Sequence, residues 1–161
     1  MRGNEIMVSA NPQGKFVEGI ISGTPYPGTI VQPDTSVALV GGRQTWVVYD
    51  ADADGGRPKG PFIVLREDHL QGKIHSDAYA SGDRGFGYIP LAGDELNLYW
   101  KDEDTGTTTN DIAAGQVGIV DDGTGLIIAT TGSPETEVCM ANEAANNLDG
   151  DTWVWSVWTG H

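Results

Sequence analysis

Four times along this chain a glycine and a polar residue stand directly before an apolar run: ASGDRGFGYI, LAGDELNLYW, AAGQVGIV and LDGDTWVWSV. Glycine supplies the positive backbone dihedral that a tight turn needs, and aspartate closes such a turn with its own carboxylate. A chain cut this often has no room for long helices, and what lies between the cuts is rich in Val, Ile, Leu and aromatics, the composition of short strands. Gly82, Gly93, Gly115 and Gly150 are unequally spaced, so the device is turn chemistry and not a solenoid repeat. Gln116 stands where Asp follows the glycine in the other three turns.

From Ser36 onward nine runs read as strands: SVALV, QTWVVY, PFIVLRE, GFGYI, ELNLYW, VGIVD, LIIAT, TEVCMANE and TWVWSVW. In ELNLYW, Leu96, Leu98 and Trp100 share one face and Asn97 and Tyr99 the other. In TWVWSVW, Trp153, Trp155 and Val157 oppose Val154, Ser156 and Trp158; the tryptophan pair Trp153 and Trp155 is expected to line the core, leaving Trp158 exposed as an oligomer contact. Only HLQGKIHSDAYA and ANEAANNL have helical pattern, and each is worth one or two turns. A chain of 161 residues suits one domain with a core of its own. The fold class expected is all-β, a single barrel or sandwich of about nine short strands over residues 36–161.

Residues 1–35 read differently. GTPYPGTIVQPD sets Pro25, Pro27 and Pro33 among Gly and Thr, which denies a helix any foothold and favours extended backbone. The segment is expected as an extended N-terminal arm that wraps its own domain or reaches a neighbour, with an edge strand plus loop as the equal alternative. Phe16, Val17, Ile20, Tyr26 and Pro27 are its anchoring candidates.

A formal charge of −14, from 9 Lys and Arg against 23 Asp and Glu, repels phosphate backbones and anionic lipid, so neither nucleic acid nor a membrane is expected as a partner. The start lacks the apolar core of a secretory signal, and nowhere do roughly 18 apolar residues run together. Synthesis in a cytoplasm as a soluble protein is the expectation. The single Cys139 has no partner for an internal disulfide and is expected to pack as a small apolar residue.

YDADADGG places Asp50, Asp52 and Asp54 before Gly55 in the rhythm of a calcium loop, but the twelfth position, which should be a bidentate glutamate, is Pro61. A solvated hairpin tip is the simpler reading, as it is for KDEDTG at 101–106. His69, His75 and His161 have no nucleophile elbow or metal-binding partner in the sequence, and GDRGFG at 82–87 leads into a strand and not into the helix N-terminus a phosphate loop needs. The sequence therefore nominates no catalytic residue, no cofactor and no metal ligand, and no enzyme activity is expected. A carbohydrate-binding module using Trp153, Trp155 or Trp158, with calcium at Asp50, Asp52 and Asp54, is the alternative.

The order of the pieces, together with Gly-Thr-Pro-x-Pro-Gly-Thr at 23–29, Gly-Asp-Glu-Leu-Asn at 93–97, Asp-Asp-Gly-Thr-Gly at 121–125 and Ala-x-Glu-Ala at 141–144, resembles the small β-rich capsid decoration, or cement, proteins of tailed bacteriophages. The resemblance implies a β-barrel-like virion protein on the outer capsid surface. It further implies a homotrimer that bridges neighbouring subunits of the major capsid protein and stabilises the shell against internal DNA pressure.

Overall fold

The computed structural model describes residues 6–9, 15–50, 61–72, 74–101, 112–130, 137–145 and 150–160. These carry eleven strands: β1 (Met7–Ser9), β2 (Lys15–Ile21), β3 (Ile30–Pro33), β4 (Thr45–Val48), β5 (Ile63–Leu65), β6 (Arg84–Ile89), β7 (Glu95–Trp100), β8 (Val117–Val120), β9 (Ile127–Thr130), β10 (Cys139–Ala141) and β11 (Thr152–Trp158). No helix forms among the described residues. The all-β class expected from the turn spacing is what the chain adopts.

The strands close into two rings. In the first, β2, β4, β3, β5 and β6 form a closed barrel, sealed by a short parallel ladder in which Ile20 meets Thr45 and Ile21 meets Trp46. In the second, β7, β11, β10, β8 and β9 follow one another, and β9 returns to β7 where Ile127 meets Trp100. β7 gives one edge wholly to β11 and divides the other. There the amide of Asn97 donates to the carbonyl of Ile6, that of Tyr99 to Gly28, and that of Lys101 to Ile127.

Five strands enclose little space, because barrel diameter grows with strand number. In each ring an indole, Trp46 in the first and Trp100 in the second, sits against strand glycine. A Cβ on Gly19, Gly85 or Gly87 would overlap Trp46, Ile21 or Ile63, and one on Gly118 would overlap Ile127 and crowd Trp100. The first core therefore consists of Trp46 with Ile21, Val31, Ile63, Leu65 and Tyr79. The second holds Leu96, Leu98, Trp100, Val154, Cys139 and Trp158, and it continues through Ile30, Val64 and Tyr88 onto the outer wall of the first barrel. The face expected for Leu96, Leu98 and Trp100 is the buried one.

The recurrent turns work as their composition suggests. The amides of Asp83, Asp94 and Gln116 each donate three residues back, to Ala80, Leu91 and Ala113, across glycines with φ of 94°, 94° and 85°. Asp83 and Asp94 then accept the amides of Ala80 and Leu91 on their carboxylates, at 2.9 and 2.8 Å. Gln116 keeps the same backbone turn.

Three expectations need correcting. Lys15–Pro33 does not stand off as an arm: β2 runs antiparallel to β6 over six residue pairs, and β3 sits between β4 and β5. The prolines stand in non-helical backbone as expected, but the runs on either side of them are strands integral to the first barrel. SVALV is a loop with a single bridge between Val40 and Arg43, and Val37, Leu39 and Val40 are exposed. On β11 the inward face is Val154, Ser156 and Trp158, with Trp153 and Trp155 half-buried outside. Ser156 is tolerated inside because its hydroxyl accepts the Trp100 indole N–H at 3.0 Å and donates to the Val154 carbonyl.

The two barrels are spliced along residues 23–29 and 121–125. Trp153 donates its indole N–H to the Pro27 carbonyl at 2.8 Å, Ile30 donates to Gly125 at 2.7 Å, and Gly123 donates to Tyr49 at 2.9 Å. Ile6 donates to Glu67 Oε1 at 2.5 Å. Shared apolar core and shared main-chain bonds make one cooperative unit of the two rings.

Candidate docking surface

Side chains alternate along β2, so Val17, Gly19 and Ile21 turn into the first barrel while Phe16, Glu18 and Ile20 stand on its outside. Phe16 is 58 % exposed. One side of its ring contacts Tyr88, with centroids 5.2 Å apart, and the Arg66 guanidinium lies 5.1 Å from its centroid. Glu18 holds Arg84 at 2.6 Å and Arg43 at 3.4 Å. The Arg84 guanidinium, as hydrogen-bond donor and charge, with Arg43 beside it, draws the Glu18 carboxyl below its ordinary range.

Beyond β5 the chain turns back over the outer wall of β6. Asp68 folds this turn by accepting the amides of Leu70 and Gln71 and the side-chain amide of Gln71, whose other bond goes to the Arg84 carbonyl. Leu70 is thereby presented 91 % exposed. Phe16 and Leu70 face a common groove of about 580 Å³ floored by Phe86 and Gly87. Large exposed apolar side chains flanked by charge are the pattern of an interaction surface.

The five anchoring candidates are divided by the fold. Phe16 and Ile20 share the outer face of β2, Ile20 half-buried, and Val17 packs inward against the first core. Pro27 is buried, its carbonyl spent on Trp153. Tyr26 retains partial exposure, but its ring leans on Tyr99 at 5.5 Å and on Trp153 at 6.2 Å. The proline-rich segment thus finds its partner in the second barrel of the same chain. Trp158, at 3 % exposure and edge-on to Phe62, is a core residue and not an oligomer contact. Its neighbour Ser156 looked like the solvent face in sequence, whereas it is a satisfied core hydroxyl.

Of the three rings proposed as a sugar platform, Trp158 is in the core, Trp155 is half-buried, and Trp153 is engaged by neighbouring rings. Trp153 stacks on Tyr99 with centroids 4.4 Å apart, and His75 meets it edge-on at 5.0 Å. Asp52 and Asp54 lie outside the described residues, as does His161; Asp50 follows the buried Tyr49 and offers its carbonyl to Gln32. Among the described residues no three His, Cys, Asp or Glu side chains cluster as metal ligands. Cys139 is buried, and burial pushes its thiol well above the usual range.

Leu70, Arg43, Arg66 and Arg84 were missed in the sequence as members of this surface. The signal for Leu70 was weak: in EDHLQGKIH it pairs with Ile74 at helix spacing, which reads as a turn of helix and not as an exposed anchor. Comparison of the chain with protein-family models finds no match, and comparison with curated proteins finds none either.

Proposed function

We propose that this protein is a structural decoration protein. It binds the outer surface of a tailed-phage capsid as a homotrimer, bridges neighbouring major capsid subunits and stabilises the shell. The observation that carries the reading is the exposed Phe16 on the outer wall of a glycine-packed barrel, sharing a groove with Leu70 and with the Arg66 guanidinium over its ring. An aromatic anchor with a charged rim is how protein surfaces engage one another. The sequence resemblance supplies the identity of the partner. Repetition over a shell would turn modest single contacts into firm attachment through effective concentration.

The test is the survival of shells. Capsids stripped of the protein should release DNA on heating at a lower temperature than capsids to which purified protein has been restored. Equal release temperatures would sink the cement role, and a mass other than three chains in solution and on the shell would remove the trimer.

A further inference from the structure

We infer that the outward edge of β2 is a strand-addition site, taking an extended, acidic segment of the partner as an extra strand beside Phe16 and Glu18. The inference rests on reading the Phe16 face as a docking surface and specifies how that face is engaged.

The ladder accounting leads there. Ile21 donates to Asp83, on the β6 side, whereas Ile20 and Ser22 donate to Gln44 and Trp46, on the β4 side. Main-chain groups alternate sides along a strand. Odd residues of β2 therefore bond β6, and the N–H and C=O groups of Phe16 and Glu18 point the other way. β4 reaches β2 only at Ile20 and Ile21. Among the described residues no backbone group meets Phe16 or Glu18 on that side. The loop before β4 diverges and touches β2 there through the Arg43 and Glu18 side chains. Two residue pairs are enough for a working ladder in this molecule, since the parallel contact that seals the first barrel has just two. An exposed strand edge of this kind is a template for another chain, with main-chain bonds giving affinity and alternate side chains giving selectivity.

Charge sets the class of segment. The chain as a whole carries −14, yet four of its nine Lys and Arg residues, Lys15, Arg43, Arg66 and Arg84, border this edge and its aromatic. Glu18 is the exposed carboxylate among them, while Glu67 and Asp68 are buried. By the alternation of β2, an added strand shares one face with Phe16, Glu18 and Ile20, where Arg43 stands, and the other with Lys15 and Val17, so its carboxylates meet a cation on whichever face they fall.

Two fluorescent heptapeptides test the site, one alternating glutamate with valine and the other lysine with valine, each titrated into the full chain with hydrogen exchange followed at single amides. The glutamate peptide should bind, slow exchange at Phe16 and Glu18 over free protein, and outbind the lysine peptide. Glu18→Pro removes an outward N–H that no bond among the described residues uses, and Glu18→Ala removes the same carboxylate while keeping that N–H. The proline variant should bind the glutamate peptide roughly tenfold more weakly than the alanine variant. Equal binding by the two variants, equal binding of the two peptides, or protection elsewhere without protection at Phe16 and Glu18 would overturn the inference. Should Glu18→Pro fail to fold, exchange on the natural chain decides alone. Protection of both amides in the protein without peptide, lost on dilution, would assign the edge to a second copy and also overturn it. Capsid binding that persists while the peptide results fail leaves the decoration reading standing and removes the strand mode; peptide binding without capsid binding does the reverse.

Discussion

Replacing Gly125 with alanine probes the splice between the barrels, and Gly123→Ala, two residues away in the same turn, is its control. Both glycines have positive φ, 67° and 77°, so each alanine meets the left-handed penalty of about 1–2 kcal/mol, offset by roughly 0.4–1 kcal/mol from the stiffer unfolded chain. Around Gly123 there is open space, and nothing more is added. At Gly125 the new Cβ would overlap the Ile30 carbonyl oxygen, a backbone atom with no rotamer to retreat to. Relief requires the turn to move away from β3, which strains packing by about 1–3 kcal/mol and weakens the 2.7 Å bond from Ile30 to Gly125, itself worth about 1 kcal/mol. Gly123→Ala should thus cost about 1 kcal/mol and Gly125→Ala about 3 kcal/mol. Urea unfolding followed by tryptophan emission measures both. Equal losses would refute the close approach of the two barrels at this turn.

Two further outcomes follow from the interior. Burial holds the Cys139 thiol out of reach and raises its pKa, so an aromatic disulfide reagent at neutral pH should find no reactive thiol in the folded protein and one per chain in urea; rapid reaction in buffer would contradict the packing. Asp121 is pulled toward a higher pKa by burial, but the Thr124 hydroxyl and Lys101, 2.9 Å away, overcome this and leave it below its ordinary 3.8. A carboxylate with a depressed folded pKa stabilises above its unfolded value and loses that contribution as pH falls through the folded one. The stability difference between the natural chain and Asp121→Asn should hold at neutral pH and shrink below pH 3.8, at a size of about 1 kcal/mol or less because Lys101 is partly solvated. A difference that does not change with pH in that range would refute it.

What could be read in advance was what depends on neighbouring residues. Turn glycines with their aspartates, and the alternation in ELNLYW, are local physics, and they gave the class of fold and the buried face of β7. What failed depends on distant partners. A serine next to three tryptophans looked like the solvent side until Trp100, 56 residues away, was there to bond it. The prolines at 25 and 27 looked like an arm because the sequence does not say that Tyr99 and Trp153 wait for them. The two glycines of GFG were legible only as part of a strand, whereas they are the space for Trp46, Ile21 and Ile63. Of the proposed surface, Phe16 was legible as an apolar residue without a helical role; Arg66 over its ring and Arg43 and Arg84 on Glu18 come from three separate segments, and only the folded barrel assembles them.

The docking claim is tested most directly by co-sedimentation of purified protein with stripped capsids, comparing the natural chain with Phe16→Asp and Met140→Asp. Both variants place a charge at an exposed apolar position, one on β2 of the first barrel and one on β10 of the second. The natural chain and Met140→Asp should saturate the shells at the same concentration, while Phe16→Asp should need roughly tenfold more or fail to bind, consistent with loss of an aromatic anchor. Saturation by Phe16→Asp at the natural concentration, with its fold intact, would contradict the assignment of this face to the capsid.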